Sequence, residues 1–569
     1  MWRVQAFSSA IGAWFLSLVA LVGSSVLGPS ALAGPLNFTN EALARGFNFR
    51  LGFNYTQVGA GNMLVDLDND GDLDIVIAGG QGGAFGVYEN DGTGNFTDRT
   101  FGSGLTPMVA SGLSAADYDN DGDLDIHVPG WFQPARLYRN DGDFTFVDVA
   151  PEAGVALSAP SMAAAWSDYD QDGWLDLYQT VRTFTDNANI DNKLYRNNGD
   201  GTFTDVATAL GVHAPGDPSC LPAFFDYDRD GDDDIYIGTD KGSDVFPPFL
   251  HNKLYRNNGD GTFDNATYEA GVEAYIFCMG IAVGDMNFDG FFDMYLTNIT
   301  QGNILFMHNG DGTYRDDTVA AGMENHRVGW GTVFADFDND THLDNYVCNI
   351  QTPNRLYRGS ATWPLVDEAP QCGTDVFWDV YCVSVGDVDG DGDQDMLVGN
   401  TNRRAHLFIN NSEDLATNHW LRLDVVGGYA NSFGIGTVVD VVAGGKSQVR
   451  EVRSGTNYKS HDELTLHYGL GEADTIDSVV ALFPGGGQRS LTNVPVDARW
   501  TLYAPERLGD ANGDGVISTL EIIQAIEART GPGGVLAPGN EIFDFDGDFD
   551  IDFRDIAAMG TGVFDPTPK

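Results

Sequence analysis

One aspartate-rich phrase of nine residues recurs seven times between Asp66 and Asp395, and no other feature limits the fold so tightly. The copies read DLDNDGDLD from Asp66, DYDNDGDLD from Asp117, DYDQDGWLD from Asp168, DYDRDGDDD from Asp226, DMNFDGFFD from Asp285, DFDNDTHLD from Asp336 and DVDGDGDQD from Asp387. Their starts lie 51, 51, 58, 59, 51 and 51 residues apart. Each runs into a short apolar strand pattern, such as Ile75-Val76-Ile77 or Ile235-Tyr236-Ile237. A second phrase follows: LYRNNGDGTF at Leu194–Phe203 and Leu254–Phe263, LYRNDGDFTF at Leu137–Phe146, LFMHNGDGTY at Leu305–Tyr314. Alternating residues around Asn-Gly or Asp-Gly read as a β-hairpin. A linking phrase such as Asp148-Val149-Ala150 to Ala153-Gly154-Val155 then leads to the next loop.

A period near 50 with several short strands suits a propeller blade. Seven such units in one run predict a mainly β chain with a closed seven-bladed β-propeller over residues 37–412. An open β-solenoid is the alternative, although its repeats are usually shorter. The segment Asn37 to Asn54 carries a partial copy of the linking phrase. It is expected to pair with the last blade and so remove the exposed edges.

The seven loops hold 32 of the 68 aspartates, and the whole chain has only 15 glutamates. Short carboxylates in tight turns suit hard cations. Positions 1, 3, 5 and 9 supply Asp66, Asp68, Asp70 and Asp74 in loop 1, and Asp117, Asp119, Asp121 and Asp125 in loop 2. They supply Asp168, Asp170, Asp172 and Asp176 in loop 3, and Asp226, Asp228, Asp230 and Asp234 in loop 4. Loop 5 offers Asp285, Asn287, Asp289 and Asp293; loop 6 offers Asp336, Asp338, Asp340 and Asp344. Loop 7 offers Asp387, Asp389, Asp391 and Asp395. Position 7 varies freely, as it would if its backbone carbonyl met the metal, and Gly at position 6 permits the sharp turn. All-oxygen ligation in a flexible loop favours Ca²⁺ over Mg²⁺ and disfavours metals that want thiolate or imidazole. Thr341 replaces the glycine in loop 6, which makes that site the weakest candidate.

These loops resemble the integrin-type propeller repeats called FG-GAP or VCBS repeats, from Asn37 to about Asn411. In that family the calcium loops are structural. The resemblance therefore implies a scaffold for recognition and not a catalyst.

Beyond Asp414 the composition shifts to alternating apolar strands, including Trp420–Val426, Thr437–Val442, Tyr468–Gly471 and Asp477–Phe483. They predict a small all-β domain over 418–503. The phrases NHWLRLDVVG, NSFGIGTVVDV, QVREVRSGTNYKSHDELTLHYGLG and IDSVVALFPGGGQ resemble an ASPIC/UnbV domain, as found after such repeats in cartilage acidic protein-like chains. Ser432 stands after Asn431, where that family carries Arg.

The tail, residues 508–565, holds DANGDGVISTLE from Asp510 and DFDGDFDIDFRD from Asp544. The first fits a twelve-residue EF-type loop, with Asp510, Asn512, Asp514, the Val516 carbonyl, Ser518 and Glu521 as ligands. The second would use Asp544, Asp546, Asp548, Asp550, Asp552 and Asp555, with Phe549 where the turn glycine belongs. The pair resembles a small α-helical dockerin, which implies a cohesin-like partner. Up to about nine Ca²⁺ sites follow from the whole set of loops.

Arg3, the apolar run Ala10 to Leu27 and Ala31-Leu32-Ala33 read as a signal peptide over residues 1–33. No later segment is long and apolar enough to span a bilayer. A net charge of −53 repels phosphate, so nucleic acid and anionic membrane are excluded as partners. The five cysteines admit disulfides after export, and Cys372–Cys382 and Cys220–Cys278 are both plausible pairs. The ten histidines form no HExxH, and the chain has neither a GxSxG elbow nor a P-loop. Trp131, Trp330 and Trp378 suit blade core or a sugar-binding face. The expected protein is secreted or displayed at the cell surface, binds calcium, and recognises an extracellular protein or glycan without catalysis. The alternative is a carbohydrate-active enzyme, or an accessory protein of polysaccharide degradation, using a carboxylate dyad outside the loops.

Overall fold

The computed structural model describes residues 35–52, 61–182, 190–240, 250–299, 301–412, 417–428 and 430–508, with scattered positions from 524 to 555. The expected signal peptide lies outside the described residues. Within them the chain is mainly β, and seven small antiparallel sheets follow the seven repeats. Blade 1 shows the pattern: Asn62–Val65, Asp74–Ile77, Gly86–Asn90 and Phe96–Asp98 pair in sequence order. The Asp loop joins the first strand to the second, so Val65 stands opposite Asp74. The Asn-Gly phrase joins the third strand to the fourth.

The innermost strands are buried throughout in most blades, Asn62–Val65 and Gly280–Gly284 among them. Their side chains interlock from blade to blade: Met63 and Val65 share a cluster with Ala115 and Ile126, and Phe225 shares one with Ile281. The linking phrase becomes one helical turn in four repeats, Ala150–Ala153, Ala207–Leu210, Thr318–Ala321 and Ala369–Cys372. Each ends on a left-handed glycine (Gly154, Gly211, Gly322, Gly373), the backbone that glycine adopts without Cβ strain. The ring closes through Phe38–Asn40, which pairs with His406–Asn410 as the outer strand of blade 7.

Residues 419–503 form two further sheets. His419–Val426 lies between Leu466–Gly471 and Ala498–Tyr503; Val438–Ala443 lies between Lys446–Glu451 and Ile476–Leu482, which also carries Gln488–Leu491. Their inner faces bury Leu421, Leu423, Val439, Val441, Val479, Tyr468 and Trp500 in one core. From the tail, Ala525, Leu536, Ile542, Phe543 and Ile551 join that core, and the Arg489 guanidinium donates to the Asp544 carbonyl. Asp544 and Asp555 are buried; the other ligands expected in the tail lie outside the described residues.

Neither of the two plausible cysteine pairs forms. All five thiols are free and buried. Cys372 sits at a rim helix with its sulfur 3.2 Å from Thr374 Oγ1, whereas Cys382 packs its sulfur over Gly399 on the inner strands. Neighbours in sequence are thus aimed at different surroundings. Trp330 is blade core, ring-to-ring with Tyr381 at 4.7 Å.

Candidate metal centres and the two faces of the ring

Each Asp loop is a wound turn whose backbone N–H groups point at its own carboxylates. Asp66 at position 1 accepts from Asp70 N at 3.2 Å and Gly71 N at 2.9 Å, and loops 2, 4, 6 and 7 repeat both bonds. Position 5 caps position 7, as in Asp70 accepting from Asp72 N. The turn takes two left-handed residues. Position 6 was foreseen; position 4 was not, yet Asn69, Asn120, Gln171, Arg229, Phe288, Asn339 and Gly390 all have φ between 54 and 74°. Thr341 holds the position 6 conformation at φ 88°, where a β-branched residue is strained, and its hydroxyl accepts from Lys446.

Position 9 opens the second strand and is buried in all seven loops. One of its oxygens always accepts from the backbone at the end of the third strand, as Asp74 does from Asn90 N at 2.9 Å and Asp344 from Gly359 N at 2.7 Å. The other faces the loop. Carboxylate oxygens of Asp66, Asp68 and Asp70 gather within 4.8 Å of one another, as do those of Asp117, Asp119 and Asp125, of Asp168, Asp170 and Asp176, of Asp226, Asp228 and Asp230, and of Asp336, Asp338 and Asp344.

Burial, and then the neighbouring carboxylates, push these groups above the ordinary aspartate range: Asp66, Asp117 and Asp285 to about 6, Asp168 and Asp226 to about 7, Asp74 to about 8. Five position 3 oxygens are buried with no hydrogen-bond partner, those of Asp68, Asp119, Asp170, Asp228 and Asp389. Buried carboxylate oxygens rarely stay unpartnered. A hard cation with oxygen ligands is the partner that this donor set fits.

The side-chain amide at the end of the third strand was missed in the sequence. Asn90, Asn140, Asn197, Asn257 and Asn410 each donate to the position 2 carbonyl of the preceding blade's loop, at 2.7–2.8 Å. They staple neighbouring loops around the ring. Blades 5 and 6 carry His308 and Gly359 there. The only available signal was the fixed Asn in LYRN, which reads equally well as a turn residue.

The β domain lies on the face that carries the loops. Ser432 Oγ donates to Asp117, Asn431 N to Asn120 Oδ1 at 2.7 Å, and Arg499 to the Gly71 carbonyl. Arg229 of loop 4 pairs with Asp440 at 2.8 Å, and His467 Nε2 meets Asn339 Oδ1 of loop 6 at 2.6 Å. Arg422 is buried between Asp387 of loop 7 at 2.8 Å and Glu463 at 2.5 Å.

From this domain the segment 453–463 plugs the ring's centre. Ser454 bridges Trp166 of blade 3, Asn457 bridges Ile281 of blade 5, and His461 bridges Met63 of blade 1. The Lys459 carbonyl accepts from Leu113 N of blade 2, and Glu463 N donates to Val385 O of blade 7. Tyr458 is fully buried, its ring 5.1 Å from that of Trp330 in blade 6. Gly61 is required here, because a Cβ would strike the Lys459 carbonyl.

The opposite face holds the connections from second to third strand and from blade to blade. Blades 3 to 6 share a latch there: Tyr178, Tyr236, Tyr295 and Tyr346 donate to the linking-segment carbonyls of Val212, Val272, Met323 and Thr374. Asn192, Asn252, Asn303 and Asn354 donate to the same hydroxyls. Aromatic rings stand in solvent beyond these latches. Phe132 is 66% exposed, Phe377 58% and Trp378 45%, with the Arg403 guanidinium 3.6 Å over the Trp378 ring. Among the described residues no helix is long and apolar enough to cross a membrane.

The chain matches two described families: ASPIC and UnbV over residues 427–508, and FG-GAP-like repeat over 66–128, 183–237, 226–296 and 336–398. Cartilage acidic protein 1 of Xenopus tropicalis is 25% identical over 483 residues, which cover 76% of this chain and 71% of that protein. The Homo sapiens protein of the same name is 26% identical over 478 residues, covering 76% and 70%. Among solved structures, BBS1N in complex with ARL6DN aligns with a TM-score of 0.40 at 10% identity, over 67% of this chain and 99% of that one.

Proposed function

Because this chain is a propeller of FG-GAP-like repeats joined to an ASPIC/UnbV domain and homologous to cartilage acidic protein 1, we propose that it is an exported, calcium-loaded recognition scaffold without catalytic activity. The observation that carries this reading is the division of the ring. The clustered carboxylates lie on the face that the β domain covers, and the central channel is filled by the segment 453–463. Cations there hold loops of like charge together and brace the β domain. The opposite face keeps exposed aromatic rings, which offer large contact area at little entropic cost to an extracellular protein or glycan.

The signal-like N-terminus supports a location outside the cell or at its surface. From the tail, Ile542, Phe543 and Ile551 pack into the core of the β domain, and a cohesin-like partner is what the two tail loops support.

Calorimetric calcium titration of the chain from Gly34 after chelation tests the scaffold, and capture on glycan and matrix-protein panels tests recognition. The reading holds if calcium binds and stabilises the fold, and if a captured ligand is lost on Phe377→Ala or Trp378→Ala. Turnover of a polysaccharide, or a fold indifferent to chelation, would overturn it.

A further inference from the structure

The seven loops do not offer seven equal sites. Five of them leave a buried, unpartnered oxygen on the position 3 aspartate, and loops 5 and 6 do not. Oxygens of Asp336, Asp338 and Asp344 gather in loop 6 as well, but there both oxygens of Asp338 are taken. One accepts from Asp340 N at 3.3 Å and the other pairs with the Arg358 guanidinium, which reaches in from the third strand of the same blade. In loop 7, by contrast, Arg45 pairs with one oxygen of Asp389 at 2.8 Å and leaves the other unpartnered. Arg139, Arg196 and Arg256 hold the same strand position in blades 2 to 4, and Arg139 pairs instead with Asp141 at 2.8 Å. In loop 5 position 3 is Asn287, whose amide donates to Asp289 at 2.9 Å, so the loop ties its own position 5 carboxylate.

One lysine of the β domain serves both loops. Lys446 Nζ lies 4.9 Å from the centre of the Phe288 ring at position 4 of loop 5. It also donates to Thr341 Oγ1 at position 6 of loop 6. These are the two blades without the Asn staple. A cation–π contact and a charge-assisted hydrogen bond supply locally what a metal charge supplies elsewhere.

We propose that loops 5 and 6 close on Lys446 and Arg358 and take no metal ion, so that the propeller binds five calcium ions, at loops 1 to 4 and 7. This rests on the calcium reading above. Native mass spectrometry of the full chain in calcium tests it by counting ions in variants at the position 5 residue, a count that does not depend on what the tail binds. That residue is exposed in every loop but loop 6, where Asp340 is half-buried. Asp70→Ala, Asp121→Ala, Asp172→Ala, Asp230→Ala and Asp391→Ala are each expected to lose one ion. Asp289→Ala and Asp340→Ala are expected to lose none, and loss of an ion from either overturns the proposal. If none of the seven loses an ion, the calcium reading itself fails. Arg358→Met gives a second arm that needs no loop variant to fold: it frees Asp338, and the count should rise by one. An unchanged count would contradict the assignment of loop 6.

Discussion

The two faces of the ring are built from opposite ends of the same strands, yet they solve different problems. On the loop face, backbone N–H groups and carboxylates are wound together, five Asn side chains staple the loops, and a second domain covers them. On the opposite face the junctions are held by Tyr–Asn latches in blades 3 to 6, and aromatic rings remain in solvent. Blades 5 and 6, which lack the staple, have the latch, so every blade is tied at one end at least. The contrast teaches that this propeller concentrates electrostatic risk and its compensation at one end and leaves the other free for contact.

The largest way to break the contrast is to empty the plug. Tyr458→Ala removes a fully buried ring and is expected to cost about 3–5 kcal/mol in denaturant unfolding. A loss under about 1 kcal/mol would show that the plug is not part of the core. Arg422→Met leaves Glu463 buried without its cation and unties it from Asp387 of loop 7, and about 3–5 kcal/mol is again expected. Asn140→Ala removes one staple and orphans the Leu67 carbonyl, for about 1–3 kcal/mol.

pH sharpens the comparison. Unfolded, Asp66, Asp74, Asp168 and Asp226 ionise near 3.8; in the cation-free fold they hold their protons to about 6, 8, 7 and 7. The folded form therefore binds more protons across that window. The stability that these four groups contribute is full below about pH 4 and falls as pH rises toward about 8. Melting in chelator between pH 5.5 and 8 should show the fall, and calcium should flatten it. The smallest effect belongs to the bare face: Phe377→Ala should change stability by no more than about 0.5 kcal/mol while abolishing ligand capture.

The repeat, its seven loops and the outer strand at Phe38–Asn40 were legible because period and turn chemistry are local. So were the main strands of the β domain, which alternate. The plug was not legible: GTNYKSHDE has no period, and its burial is decided by blades up to some 400 residues away in sequence. The staple was hidden because Asn140 and its fellows serve a turn and a neighbouring blade at once. The state of the cysteines stayed open because spacing says nothing of which blade layer each sulfur faces.

Hydrogen exchange of the full chain, in calcium and after chelation, tests the division of the ring most directly. Chelation should speed exchange at the Asp loops, at the Leu67 and Tyr118 amides, and in the plug at His461, which donates to Asn62. Exchange at the linking segments beneath Tyr236 and Tyr295 should change far less. Uniform acceleration of both faces, or none at the loops, would contradict the account.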